Sequence, residues 1–237
     1  MSLHDAANEG RSCRAAGYRA ALVQGWRRSQ RVVGRVLQGC HEAAEVLPDN
    51  VLVINGHPDT RPERFCAALC EAYAAGAGSR GAAVRTLEIG GLSEASAIKP
   101  GFQLSGFLRD DWARALETAR WAHRYVVVFP LWLNEPPPLL RRFFESVAAS
   151  GITGDDGFFS SRHTRKRARV VVTMEMPGFA LRSMLQSGAS AGQARRSLSF
   201  PGVEEQGLMI MGCVRSVSAA QRTEWLCTLR QLGVDGV

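Results

Sequence analysis

The run Val51-Leu-Val-Ile-Asn-Gly-His57-Pro58 constrains the fold more than any other part of the chain, because a short apolar stretch breaks abruptly into Gly56 and His57. A helix start follows at once. Thr60 and Glu63 stand three apart like a capping box, and Pro62 falls in the first turn, where its missing N–H is harmless. The segment therefore reads as a strand feeding a helix through a tight loop. In a doubly wound α/β sheet such a loop opens at the carboxyl edge, where helix N-terminal amides bind anions. It is a place for a phosphate.

The chain has 237 residues, 46% of them hydrophobic, with no long uncharged apolar run. That is enough for one sizeable core and points to a soluble protein without a transmembrane segment. The formal charge of +7 would attract anions, but all 29 basic residues except Lys99 and Lys166 are arginine. Compositional bias explains this more simply than nucleic-acid binding, and a small anionic cofactor is the preferred partner. The six cysteines contain no C-x-x-C pair and read as reduced cytosolic thiols. Cys66 and Cys70 lie one helical turn apart, yet nothing nearby completes a metal site, so packing is expected. The amino terminus lacks a basic-then-apolar signal pattern, which places the protein in the cytoplasm.

Residues 1–47 carry seven arginines with a weak helical period and read as a basic N-terminal extension, partly helical or disordered. Pro48-Asp49-Asn50 marks the boundary to a single domain over 48–237. Within it the pattern predicts strand 51–55, helix 61–77, strand 83–88, loop 89–108, helix 109–122 and strand 124–129. Helix 136–149, strand 168–173, a helical stretch near 179–198, strand 208–213 and helix 218–231 complete it. Runs such as Tyr125-Val-Val-Val-Phe129 are apolar throughout, as parallel strands buried on both faces must be. Five strands alternating with helices predict a flavodoxin-like, doubly wound parallel five-stranded sheet, order 2-1-3-4-5.

A second constellation is Phe129-Pro-Leu-Trp-Leu-Asn-Glu-Pro-Pro-Pro-Leu-Leu-Arg-Arg-Phe-Phe144, a buried strand ending in proline, an aromatic loop and an amphipathic helix. Here the chain resembles the NAD(P)H dehydrogenase (quinone) family of flavodoxin-like proteins, whose loop reads like P-L-W-W-G-x-x-P-A-L-L-K-G-F. Gly56-His57-Pro58 with Phe65-Cys-Ala-Ala-Leu69, Thr173-Met-Glu-Met-Pro177, and Trp225-Leu with Leu232-Gly233 extend the resemblance in order across residues 51–233.

The resemblance implies a flavin, FMN or FAD, at the carboxyl edge. The loop from His57 through Phe65 to Cys66 would hold its phosphate through backbone amides, helped by His57, Thr60 and Arg64. The alternative for this loop is a polar helix cap. Pro130, Leu131, Trp132, Leu133 and Asn134 would lie along the isoalloxazine; Trp132 either packs on the flavin or fills the core. Thr173, Met174 and Glu175 would face the pyrimidine end. The implied chemistry is hydride transfer from NAD(P)H to the flavin and then to a quinone-like acceptor, in a homodimer whose sites a neighbouring subunit completes.

The chain departs from the family pattern at Leu133, Asn134, Cys66 and Glu175, which stand where an aromatic, a glycine, an amide side chain and a glycine are usual. An inward Glu175 carboxylate would repel a reduced flavin; an outward one would not. The family's proton-donating Tyr and His have no counterpart, since no Tyr follows Tyr125 and no His follows His163. No catalytic residue is assigned, and the alternative function is that of an ancillary regulatory subunit with a drifted flavin site. The basic run Arg162–Arg169 reads as a solvated lead-in to a strand, or as a contact for a nicotinamide phosphate or an acidic partner.

Overall fold

In a computed structural model, residues 49–93, 110–152, 166–186 and 188–236 are described; the basic extension lies outside them, as does most of the loop at 89–108. The strands are β1 (Asn50–Asn55), β2 (Ala83–Glu88), β3 (Arg124–Pro130), β4 (Lys166–Thr173) and β5 (Val203–Met211). The helices are α1 (Phe65–Ser79), α2 (Asp110–Trp121), α3 (Pro138–Ala149), α4 (Gly178–Gln186), α5 (Gly188–Leu198) and α6 (Ala219–Asp235). All neighbouring strands pair in parallel in the order β2-β1-β3-β4-β5, the order the alternation predicts.

Side chains alternate across the strands, so each strand feeds two cores. Leu52, Ile54, Tyr125, Val127 and Phe129 face α2 and α3 with Trp112, Phe143 and Phe144, and Phe200 stacks on Phe144 with ring centroids 4.1 Å apart. Val51, Val53, Val126, Val128 and Val171 face α1 and α6 with Leu69, Tyr73 and Leu229. Helix on both faces is what makes an uninterrupted valine run affordable in β3 and β4.

α1 and α6 cross at glycines. A Cβ on Gly233 would stand 2.4 Å from the Tyr73 carbonyl oxygen, and one on Gly76 would stand 2.0 Å from that of Arg230. Two backbones in contact need residues without side chains there. This gives the Leu232-Gly233 segment a packing reason. Below the crossing, Arg80 and Arg124 both bind Asp49, and they donate to the carbonyls of Gly233 and Gly236 near the end of α6.

Several boundaries move. β5 begins at Val203, five residues before the predicted start, because Glu204, Glu205 and Gln206 belong to an exposed edge strand, where charge is normal and an apolar-run reading stops short. β4 begins at Lys166, whose ammonium caps the Arg120 and Ala122 carbonyls at the end of α2. The helical stretch near 179–198 is two helices, α4 and α5. Trp121 packs beneath the Arg85 guanidinium, 4.2 Å from its ring centre.

Candidate functional site

The loop after β1 departs from the expected capping box. α1 starts at Phe65, its N-cap is Arg64, and no side chain caps it. Thr60, Pro62 and Glu63 lie in the loop instead. Asp59 explains the delay. Its carboxylate accepts from the Arg61 backbone N–H at 3.1 Å, an Asx turn that holds the chain out of helix, and Arg64 N–H then reaches the Arg61 carbonyl at 3.1 Å. The same carboxylate binds the Arg61 and Arg64 guanidinium groups, which hold it well below the usual carboxylate range.

The loop is tied to the sheet from beneath. Asn55, 1% exposed, donates to the Glu88 carboxylate at 2.7 Å and accepts from His57 N–H at 3.1 Å. Burial raises the Glu88 carboxyl above its ordinary value, against the Asn55 bond. His57 Nδ1 accepts from Asp59 N–H at 2.9 Å. That bond needs a lone pair on Nδ1, and burial, with Arg64 and Arg61 near, lowers the imidazole below its ordinary pKa. His57 is thus neutral at pH 7 and presents an N–H at Nε2.

After β3, Leu131 N–H bonds to the Thr173 carbonyl at 2.8 Å and the chain reverses at once. Trp132 and Glu135 exchange two backbone bonds of 3.0 and 2.9 Å around Leu133 and Asn134, whose φ angles are +50° and +65°. This is the mirror-image two-residue turn that Asn-Gly fills best. The glycine usual in the family at Asn134 therefore answers a backbone requirement that Asn tolerates and Leu does not. Leu133 is 97% exposed, and Asn134 Oδ1 is a buried acceptor without a partner among the described residues. Trp132 is 47% exposed and meets His57 edge-to-face at 5.9 Å, so it is not a core tryptophan.

After β4, the Met174 N–H is taken by the Met211 carbonyl at 2.9 Å. Glu175 is exposed and its carboxylate pairs with Arg215 at 2.8 Å. Thr173 Oγ1 lies 3.4 Å from Cys66 Sγ, which joins this loop to the start of α1. Burial pushes the Cys66 thiol up to about 11 and Cys70 well above its ordinary value, so both are packing thiols, as the sequence suggested.

The three loops thus meet at one carboxyl edge, with Gly56 N–H on the Val128 carbonyl at 2.8 Å as a further tie. A Cβ on Gly56 would stand 2.7 Å from Leu140 and 2.9 Å from Phe129, so only glycine fits there. Of the sequence-derived site residues, His57, Thr60, Arg64, Trp132, Leu133 and Asn134 are at least partly open to this edge. Pro130, Leu131, Cys66, Thr173 and Met174 are buried, and Phe65 turns to Trp225 on α6. Asn55, Asp59, Arg61 and Glu88 were missed. An amide closing an apolar strand and an acid between two arginines were the available signals.

A flavin fits what is present. Among the described residues, the Phe65 and Cys66 N–H groups open α1 without carbonyl partners and Asn134 Oδ1 lacks a donor, while His57 offers Nε2–H and Trp132 a ring face. The described part of the basic run begins β4 at the opposite edge, with Lys166 about 23 Å and Arg169 about 13 Å of strand from Thr173 at 3.3 Å per residue; residues 162–165 lie outside the described residues. A separate cavity of about 330 Å³ lies between α3 and the end of α5, lined by Pro136, Arg141, Arg196 and Phe200 among others.

A five-stranded parallel sheet in this order, with helices on both faces and its loops gathered at the strand ends, defines the doubly wound α/β class. Residues 49–231 match the family model for the flavodoxin-like fold, and the chain belongs to that family. Among solved structures it is similar to the NAD(P)H:quinone oxidoreductase from Methanothermobacter marburgensis, with 17% identity and a TM-score of 0.61 over 78% of this chain and 96% of that one. It is also similar to an FMN-dependent NADH-azoreductase from Bacillus anthracis str. Ames Ancestor in complex with FMN, with 11% identity and a TM-score of 0.55 over 79% and 98%. Likeness at these identities establishes the fold. No curated protein matches the chain. Among the described residues no helix is long and apolar enough to cross a membrane.

Proposed function

We propose that this protein is a flavin-dependent oxidoreductase of the cytoplasm that passes hydride from NAD(P)H to a quinone-like acceptor. The observation that carries this reading is the meeting of the β1, β3 and β4 loops at one edge, with Trp132 exposed against His57. When bound, the flavin would supply a two-electron hydride carrier. The chain would do the rest. Phe65 and Cys66 amides with Thr60, Arg64 and His57 would hold the phosphate. Trp132 would lie along the ring system, with Pro130, Leu131 and Leu133 shaping the same loop, and Asn134 Oδ1 would accept an N–H. Thr173 and Met174 would border the far end, with the Thr173 carbonyl and the Met174 N–H and carbonyl already bonded, and the Glu175 backbone would face it. A second copy of the chain would close the cleft over the exposed Leu133.

The purified protein should show visible flavin absorption, or acquire it on addition of FMN or FAD, and bleach anaerobically with NAD(P)H. Benzoquinone should restore the colour. A protein that takes up neither flavin would overturn the reading. The absent Tyr/His pair favours a second reading, an ancillary regulatory subunit; flavin uptake without NAD(P)H-driven bleaching would select it.

A further inference from the structure

Asp59 does more than shape a turn. Its Oδ2 accepts from Arg61 Nη2 at 2.7 Å and from Arg64 Nε at 2.8 Å, and Arg64 Nη2 donates to it as well. Its Oδ1 accepts from the Arg61 backbone at 3.1 Å and from Arg61 Nε at 3.0 Å. Its own N–H is held by His57 Nδ1. Each arginine thus spends its Nε/Nη2 edge, the fork that fits a carboxylate or phosphate two-pronged, on a group the loop itself supplies. The charges here are Arg61 and Arg64 against Asp59 and Glu63, with His57 neutral. The loop that should attract an anion sums to zero.

We propose that Asp59 is a tethered counter-ion that sets how tightly this loop takes a phosphate, because an incoming phosphoryl group must displace or lie beside a carboxylate already holding both guanidinium groups. The inference rests on the phosphate-binding role given to residues 57–66 above. Exposed ion pairs add little to folding stability. Ligand affinity is a different quantity, since a fixed negative charge opposes a dianion directly and salt screens that opposition.

The test is Asp59→Asn, which keeps a side-chain carbonyl for the Arg61 N–H and removes the charge. FMN and riboflavin dissociation constants are measured by flavin fluorescence at low and high salt, with Asp59→Glu as the charge-retaining control. Asp59→Asn should tighten FMN about tenfold at low salt, with a steeper salt dependence, and leave riboflavin unchanged. Asp59→Glu should not tighten it. FMN affinity that is unchanged or weaker in a variant with native circular dichroism, or riboflavin tightening by the same factor, overturns the proposal.

A second arm needs no flavin. Thermal stabilisation by inorganic phosphate over chloride, at matched ionic strength, should be larger in Asp59→Asn than in the parent protein. A gain here without flavin uptake leaves the counter-ion role standing and defeats the flavin reading; no gain here defeats the counter-ion role.

Discussion

Replacing Leu133 with asparagine should make the protein more stable, although it removes a hydrophobic side chain. Leu133 is 97% exposed in the single chain, so its removal forfeits almost no apolar area buried within the subunit, and the comparison is made at protein concentrations where the chain is monomeric. Its φ of +50° puts a branched side chain in the left-handed region, which disfavours a Cβ-bearing residue by about 1–2 kcal/mol. Asparagine recovers much of this because its short amide bonds locally in that region, and unlike glycine it does not loosen the unfolded chain. The expected gain is about 1 kcal/mol, which for a domain of this size raises Tm by about 2–4 °C. Urea titration should show a higher midpoint with an unchanged slope. Leu133→Ala separates backbone from surface effects, because alanine is equally polar-neutral but keeps the Cβ; it should gain nothing. A midpoint for Leu133→Asn equal to or below the parent's, or an equal gain for Leu133→Ala, would refute the reasoning.

At the α1–α6 crossing, Gly233→Ala places a methyl against backbone at 2.4 and 2.7 Å and should destabilise by about 1–3 kcal/mol despite alanine's better helix propensity, measured by chemical denaturation. Cys66 ionises near 9.0 when unburied and at about 11 in the fold, so its stabilising contribution is complete below pH 9 and is lost as pH rises towards 11. That loss amounts to about 2–3 kcal/mol, and unfolding free energies between pH 8 and 11 should fall less steeply in Cys66→Ala. Glu175→Gly should leave stability within about 0.5 kcal/mol and leave the flavin potential and its reduction by NAD(P)H unchanged, since the carboxylate faces Arg215; a shifted potential would place it near the ring.

The strand order was legible because buried parallel strands write themselves as apolar runs, and β1, β3 and most of β4 do so. β5 was cut short where the run turned acidic, since an edge strand obeys a different rule from a central one. The start of α1 was misplaced for a subtler reason. Thr60 and Glu63 have the right spacing for a cap, but Asp59 captures the Arg61 amide first, and spacing alone cannot rank two side chains competing for the same stretch of backbone. Trp132 could be assigned to a loop but not to core or surface, because that depends on the turn at 133–134, whose positive φ values no propensity of Leu would suggest. Asn55 and Glu88 meet across 33 positions. Such a contact becomes visible only once β1 and β2 are known to be neighbours.

The glycine crossing of α1 and α6 also divides the molecule in time. Amides such as those of Ala77 and Gly233 sit where two backbones touch, and they can exchange with deuterium only when the helices part, which is close to full unfolding. The loop that ends at Arg64, one residue before the first turn of α1, is held by side chains such as Asp59 and Asn55 that can let go singly. It should exchange orders of magnitude sooner. The chain can therefore rearrange the amides facing a ligand while the helix that aims them stays clamped at its far end.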